Sequence, residues 1–178
     1  NVADMMERLS PFGVELAPAR QLVIAFAAAK TLGSLIRLPD GLADVLPAME
    51  TSLSKALESG DLYARAAAQD LLPLVAQARI LSRHYDAVVA NPPYMGSRGM
   101  PAGLKTLSAK LFPISSTDLF SMFMERSFLW CKPSGRMAMV TMQSWMFLSS
   151  YQSFRAELLN KREIFALTQI GYNSFPEM

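Results

Sequence analysis

The sequence has little of what metal sites, disulfides and membrane spans are made from. Its 178 residues include one cysteine, Cys131, and one histidine, His84, so an internal disulfide is excluded and a zinc cluster is not supported. The longest apolar run, Leu22 to Ala29, is far shorter than the ~20 residues that a membrane-spanning helix needs. No signal-peptide pattern opens the sequence. We therefore expect a cytoplasmic protein without a metal and without a membrane contact.

Charge is also sparse. Charged residues make up 18% of the chain against 51% hydrophobic residues, which is typical of a globular domain with a real core. The net charge of +2 is too mild to require a nucleic-acid partner. Between residues 95 and 117, however, the only charged residues are Arg98, Lys105 and Lys110. They could hold phosphates of an anionic partner, although a solvated loop explains them equally well.

Residues 1–83 carry no catalytic motif. Alanine and leucine recur three and four positions apart, and this spacing predicts a mainly helical segment packed on, or inserted beside, a sheet. The predicted elements are a helix opened by Pro18, an extended segment over 33–38, a helix over 42–57 with Pro47 in its first turn, and a helix through Arg83 capped by Asp61.

Residues 84–178 alternate between strand and helix patterns. The short apolar run with Val88 and Val89 predicts a central strand covered by helices on both faces. Strand–helix–strand–helix–strand implies an α/β fold with a parallel sheet. The predicted elements are strands over 85–90, 136–142 and 164–170, a helix after the capping box Ser115-x-x-Asp118, and a helix capped by Ser149 and Ser150 with Phe154, Leu158 and Leu159 inward.

The chemistry is concentrated in Asn91-Pro92-Pro93-Tyr94, directly after the first predicted strand. The carboxyl end of a parallel strand is where α/β sheets bind ligands. The Asn91 side-chain oxygen and the Pro92 carbonyl can accept the two N–H groups of an exocyclic amine, and this weakens the conjugation of its nitrogen with the ring. Such a corner suits methylation of an amine by a sulfonium donor.

Tyr94 supplies an aromatic face for a base that has left its stack, and such stacking is worth ~1–3 kcal/mol. The simpler interpretation of these four residues is a proline-stiffened turn, with Asn91 as a local cap and Tyr94 as surface packing. Their position after a buried strand favours the functional interpretation.

Several phrases carry a family resemblance. Asn91-Pro92-Pro93-Tyr94 resembles motif IV of the γ class of S-adenosylmethionine-dependent DNA methyltransferases that act on adenine N6. The segments over 118–123, 135–141 and 173–176 resemble motifs V, VI and VIII in that order. The phrases over 91–97 and 143–150 are most similar to the large adenine methyltransferases of BREX phage-exclusion systems.

The resemblance implies a partial Rossmann-like methyltransferase fold whose catalytic half is residues 84–178. It also implies roles for residues outside the four-residue corner. Phe175 would contact the second face of a flipped adenine, while Asp118 and Phe123 would lie near S-adenosylmethionine. For Phe123 and Phe175, a role as ordinary core residues is an equal alternative.

One departure from the family pattern affects the cofactor. The Gly-rich turn that cradles S-adenosylmethionine has no counterpart in the sequence, and Phe12-Gly13 follows no credible strand. The chain begins at Asn1 and stops at Met178, so we expect a fragment of a longer protein. By itself it should bind the cofactor weakly and transfer no methyl group.

The expected partners are double-stranded DNA with a flipped adenine and other phage-defence proteins. Two alternatives remain open, because the same corner can present a protein glutamine amide or an RNA guanine amine. A methyltransferase-like scaffold that binds nucleic acid without chemistry is a further alternative.

Overall fold

A computed structural model describes residues 2–171. Helices occupy the chain up to residue 82, and two strands separated by helices follow. The elements are α1 (Val2–Leu9), a 3-10 turn (Ser10–Phe12), α2 (Leu16–Phe26), α3 (Ala29–Leu32), a 3-10 turn (Gly33–Leu35), α4 (Leu42–Glu58), α5 (Leu62–Ser82), β1 (Tyr85–Ala90), α6 (Ala102–Leu111), α7 (Leu119–Trp130), β2 (Cys131–Met139), α8 (Ser144–Phe147), a 3-10 turn (Ser149–Tyr151) and α9 (Gln152–Lys161).

The helices before β1 pack around α5, which contacts α1, α2 and α4. The predicted cap of α5 is confirmed, because Asp61 Oδ1 accepts from the N–H groups of Tyr63 (2.8 Å) and Ala64 (3.2 Å). Leu53 and Val75 are among the fully buried side chains of this core. The division of the chain at residue 83 stays a prediction.

Two predictions for the helical half are wrong. Pro47 lies inside α4, beyond its first turn, and the helix survives because Leu42, Leu46, Met49 and Leu53 are buried along it. Burial of each such side chain contributes ~1.5–3 kcal/mol, which together exceeds the ~3 kcal/mol cost of an interior proline. The segment predicted as extended over 33–38 begins with a 3-10 turn.

The strands β1 and β2 are parallel neighbours, as predicted. The bounds of β1 match the prediction, whereas β2 covers Cys131–Met139 rather than 136–142. Helix α7 leads directly into β2, and the register between the strands shifts between Tyr85 and Ala87. Gly135 allows the close approach there, since a Cβ on it would lie 2.8 Å from the Tyr85 carbonyl oxygen.

The prediction of a strand covered on both faces is wrong. Helix α7 contacts both strands, yet Val88 is only half-buried and Val89 is 77% exposed. In residues 2–171 the second face of the sheet has no covering layer over Val89. The unbroken apolar run is typical of a buried strand, but burial also requires a layer on each face.

The third predicted strand is also wrong. Residues 164–170 form no ladder with β1 or β2 in the part of the chain that the structure describes. The segment lies near the sheet, because the Arg136 guanidinium stands 4.3 Å from the Phe165 ring centroid. Its large apolar side chains are exposed. Leu159 on α9, predicted to point inward, is exposed as well.

Helix α7 separates two apolar clusters. Leu119 and Met122 join the core of the helical half, whereas Phe120 and Met124 pack on the other side. The second cluster also contains Trp145, Tyr151, Phe154 and Leu158. This double packing holds α7 firmly beside the sheet.

Two charged residues of α7 tie it to the helical half. Glu125 accepts from Arg37 Nη2 (2.8 Å) and from Ser115 Oγ (2.6 Å). Arg126 donates to the carbonyl of Leu81 (3.0 Å). Burial, assisted by the nearby Arg37 charge, lowers the pKa of Arg126 to about 10. The guanidinium therefore remains charged at neutral pH.

Candidate active site at the carboxyl edge of the sheet

The four-residue corner begins where the strand ladder ends. The Ala90 carbonyl accepts the last ladder-like bond, from the Val140 N–H (3.1 Å), and Asn91 follows immediately. Asn91 and Pro93 are exposed, Pro92 is buried and Tyr94 is half-buried. Because β1 and β2 are parallel, the segment after β2 reaches the same edge. Asn91 thus presents a neutral amide at the ligand edge of the sheet.

Tyr94 contacts both Asn91 and the core. Its hydroxyl donates to Asn91 Oδ1 at 3.0 Å, and its ring meets Phe120 edge-on, with centroids 6.1 Å apart. Burial raises the pKa of Tyr94, so the hydroxyl keeps its proton at neutral pH. The amide oxygen of Asn91 has two lone pairs and can accept a further N–H beside this bond.

Asp118 sits next to the corner rather than apart from it. Its Oδ1 accepts from the Met95 N–H (3.0 Å) and from the Phe120 N–H (3.3 Å), so it caps α7 and binds the residue after Tyr94. The predicted capping box is wrong, because Asp118 is itself the N-cap. Ser115 lies upstream of the helix and donates to Glu125 instead.

The residues present do not fit S-adenosylmethionine as a complete cradle. Oδ1 of Asp118 is bonded to two backbone N–H groups, and Phe123 packs half-buried against the core of the helical half. No strand in residues 2–171 is followed by the Phe-x-Gly-x-Gly turn that would bring backbone N–H groups to the cofactor. The predicted roles of Asp118 and Phe123 toward the cofactor stay predictions.

The basic residues lie on the connection that follows the corner. Arg98, Lys105 and Lys110 are all exposed, with Arg98 before α6 and the two lysines on it. Lys105 and Lys110 are five positions apart on the helix, which places them about 140° apart around the axis. The structure therefore does not gather the three side chains on one face.

The predicted role of Phe175 and the predicted motif over 173–176 lie outside the described residues. Within residues 2–171, no group of histidine, cysteine and carboxylate side chains could hold a metal ion. No helix in this part of the chain has the length and apolar character to cross a membrane.

Sequence reasoning missed Tyr151 as a neighbour of the site. It is buried beside Phe120, with ring centroids 5.9 Å apart. Burial raises its pKa, and hydrogen bonds with Ser144 and Ser121 act in the opposite direction. A tyrosine after two serines gives no signal of this contact, because the packing joins segments distant in sequence.

Comparison with known proteins decides the family. Residues 49–175 match the Eco57I restriction-modification methylase family, which is well over half of the chain. The chain belongs to this methylase family. The match begins inside α4 and crosses residue 83, so the family extends into the helical half.

Two curated relatives are named as adenine-specific methyltransferases. The chain is 45% identical over 153 residues to "Adenine-specific methyltransferase BrxX" of Escherichia coli O9:H4 (strain HS), covering 86% of the chain and 13% of that relative. It is 35% identical over 158 residues to "Adenine-specific methyltransferase PglX" of Lacticaseibacillus casei (strain Zhang), with the same coverage of 86% and 13%. The chain thus spans about an eighth of the length of these relatives, and its family implies a methyl donor.

Proposed function

We propose that the whole protein carrying this chain methylates adenine N6 in double-stranded DNA, with S-adenosylmethionine as donor, in BREX phage defence. The observation that carries the proposal is the exposed amide of Asn91 at the carboxyl edge of a parallel strand, in a chain of the methylase family. The names of the relatives support adenine as the acceptor.

In this proposal the corner holds the amine by neutral acceptors. Asn91 Oδ1 accepts one N–H of the adenine amine and the Pro92 carbonyl accepts the other, which draws the nitrogen toward tetrahedral geometry. Proline suits the corner because it fixes the backbone and brings no competing N–H. S-adenosylmethionine would supply a methyl group from its positively charged sulfonium: the C–S bond would break as the N–C bond forms, S-adenosylhomocysteine would leave, and the methylated amine would lose its extra proton afterwards. The protein therefore needs no base strong enough to deprotonate the amine first.

The remaining roles complete the proposal. Tyr94 stacks on the flipped adenine and Phe175 covers its other face. Arg98, Lys105 and Lys110 contact DNA phosphates. Phe123 lines the donor's adenine pocket, and Asp118 lies near the donor at the start of α7. The sheet belongs to a Rossmann-like fold in the whole protein, which acts in the cytoplasm with other phage-defence proteins.

Isotope transfer tests the acceptor. The whole protein is incubated with S-adenosylmethionine carrying a labelled methyl group and, in parallel, with double-stranded DNA, RNA and protein substrates. We expect label in N6-methyladenine of DNA by nucleoside mass spectrometry. Label in a guanine of RNA or in a protein glutamine would replace the proposed acceptor, and no label in any substrate would favour a scaffold without chemistry.

The missing cradle leads to a separate expectation for residues 1–178 alone. Calorimetric titration with S-adenosylmethionine should show much weaker binding to this chain than to the whole protein. Equal, micromolar affinity for both would mean that the helical half completes a donor site.

A further inference from the structure

The geometry points to Asp118 as a positioning residue that fixes the Asn-Pro-Pro-Tyr corner from its downstream end. This inference rests on the proposed function, because it concerns the same site. It differs from the role near the cofactor that the family resemblance implies for Asp118. The side chain acts on Asn91 and Tyr94 through the backbone of Met95, which follows them directly.

The corner is held at both ends. Upstream, the Ala90 carbonyl is fixed to β2 by the Val140 N–H (3.1 Å). Downstream, the Met95 N–H donates to Asp118 Oδ1 (3.0 Å) and the Met95 carbonyl accepts from the Leu119 N–H (3.1 Å). The four residues between these two points include two prolines, whose φ angles are fixed by their rings. Little freedom remains for the position of the Asn91 amide.

The downstream anchor, Asp118, is held in place because the start of α7 packs into two apolar clusters. Leu119 and Phe120, the first residues of α7, are buried in the two different apolar clusters. Gly96 forms an isolated bridge with Asp118, and the Ser97 N–H donates to the Thr117 carbonyl (2.9 Å). These contacts tie the segment after the corner to the start of α7. Of the three hydrogen bonds that Met95 and Ser97 make there, the one to Asp118 is made by a side chain.

Substitutions can separate this contact from the helix cap. Asp118→Asn keeps an oxygen at the same position, whereas Asp118→Ala removes both the cap and the contact with Met95. Asp118→Ser retains a good N-cap, but its hydroxyl oxygen lies one bond closer to the main chain than Asp118 Oδ1 and falls short of the Met95 N–H. Asp61→Ala is the matched control, because Asp61 also caps a helix by its Oδ1 and has no contact with the corner.

The experiment uses the whole protein and three readouts: kcat for methyl transfer, the Kd for S-adenosylmethionine, and hydrogen exchange of the segment 94–99 by mass spectrometry. We expect Asp118→Ala and Asp118→Ser to lower kcat by roughly 10- to 100-fold, the scale of a misplaced reacting group. They should also speed exchange of the segment and leave the Kd unchanged. Asp118→Asn should keep wild-type exchange of the segment, because its amide oxygen can accept the same N–H, and Asp61→Ala should resemble the wild type in all three.

Two results would overturn the inference. Wild-type exchange of the segment in Asp118→Ala and Asp118→Ser would show that the bond to Met95 holds nothing in place. An equal rise of the Kd in Asp118→Asn and Asp118→Ala would assign the carboxylate to the donor instead. If the wild type methylates no adenine, the proposed function fails, while the exchange readout still decides whether Asp118 holds the corner.

Discussion

Tyr94 has two separable functions in this account, and two substitutions should distinguish them. Its hydroxyl donates to Asn91 Oδ1 at 3.0 Å, and its ring is the proposed stacking surface for adenine. Tyr94→Phe removes only the hydroxyl. A neutral hydrogen bond is worth ~0.5–1.5 kcal/mol net, so loss of the bond that orients the Asn91 amide should slow methyl transfer roughly 2- to 13-fold.

Tyr94→Ala removes the ring as well. Stacking on an aromatic side chain is worth ~1–3 kcal/mol per base, which adds a further loss of about 5- to 160-fold. It also removes the edge-on contact with Phe120, so the folded state of each variant must be checked by its melting temperature.

The assay is the single-turnover rate of N6-methyladenine formation by the whole protein, together with 2-aminopurine fluorescence at the target base. The fluorescence rise that reports base flipping should persist in Tyr94→Phe and fall in Tyr94→Ala. Equal losses of rate in the two variants would refute the reasoning, because the ring would then contribute nothing beyond the hydroxyl.

Two further predictions concern stability, measured by urea unfolding. Gly135→Ala should destabilise the fold by ~1–3 kcal/mol, because its Cβ would meet backbone atoms. Gly103→Ala, in open space within α6, should stabilise the fold by ~0.5–1 kcal/mol. Effects of the same sign would contradict the close approach of the strands. Glu125→Gln should cost ~1.5–3 kcal/mol, because it weakens the charge-assisted hydrogen bond with Arg37. Glu157→Gln, which removes the exposed ion pair with Lys161 on α9, should cost only ~0.3–0.5 kcal/mol. Equal costs would show that burial adds nothing.

The sequence predicted the features that depend on neighbouring residues. Strand β1 was found from a short apolar run, and its end from two prolines that cannot continue a ladder. Asp61 was identified as a cap because capping acts within three residues. The position of Asn91 at the carboxyl edge of a parallel pair follows from these local signals together.

The contacts around the corner could not be predicted, because they join distant segments. Asp118 binds Met95 across 23 positions, and nothing in either local pattern indicates that pairing. Glu125 and Arg126 lie in the middle of the mostly apolar helix α7. Their position indicates that they have buried partners, but it does not indicate which residues those partners are. The third predicted strand is wrong because an apolar run does not by itself form a ladder. In the described residues β1 and β2 each keep a free edge, and residues 164–170 pair with neither.

The most direct test of the central claim is the methyl-transfer rate of Asn91→Ala in the whole protein. The exposed Asn160 on α9 provides a matched control in Asn160→Ala. If Asn91 Oδ1 holds the reacting amine, Asn91→Ala should lower the single-turnover rate by roughly 100- to 1,000-fold, as loss of a transition-state hydrogen bond does. The affinity of this variant for DNA should be unchanged, and Asn160→Ala should be fully active. If Asn91→Ala loses no more than about twofold in rate, far less than removal of a transition-state hydrogen bond costs, the account is contradicted.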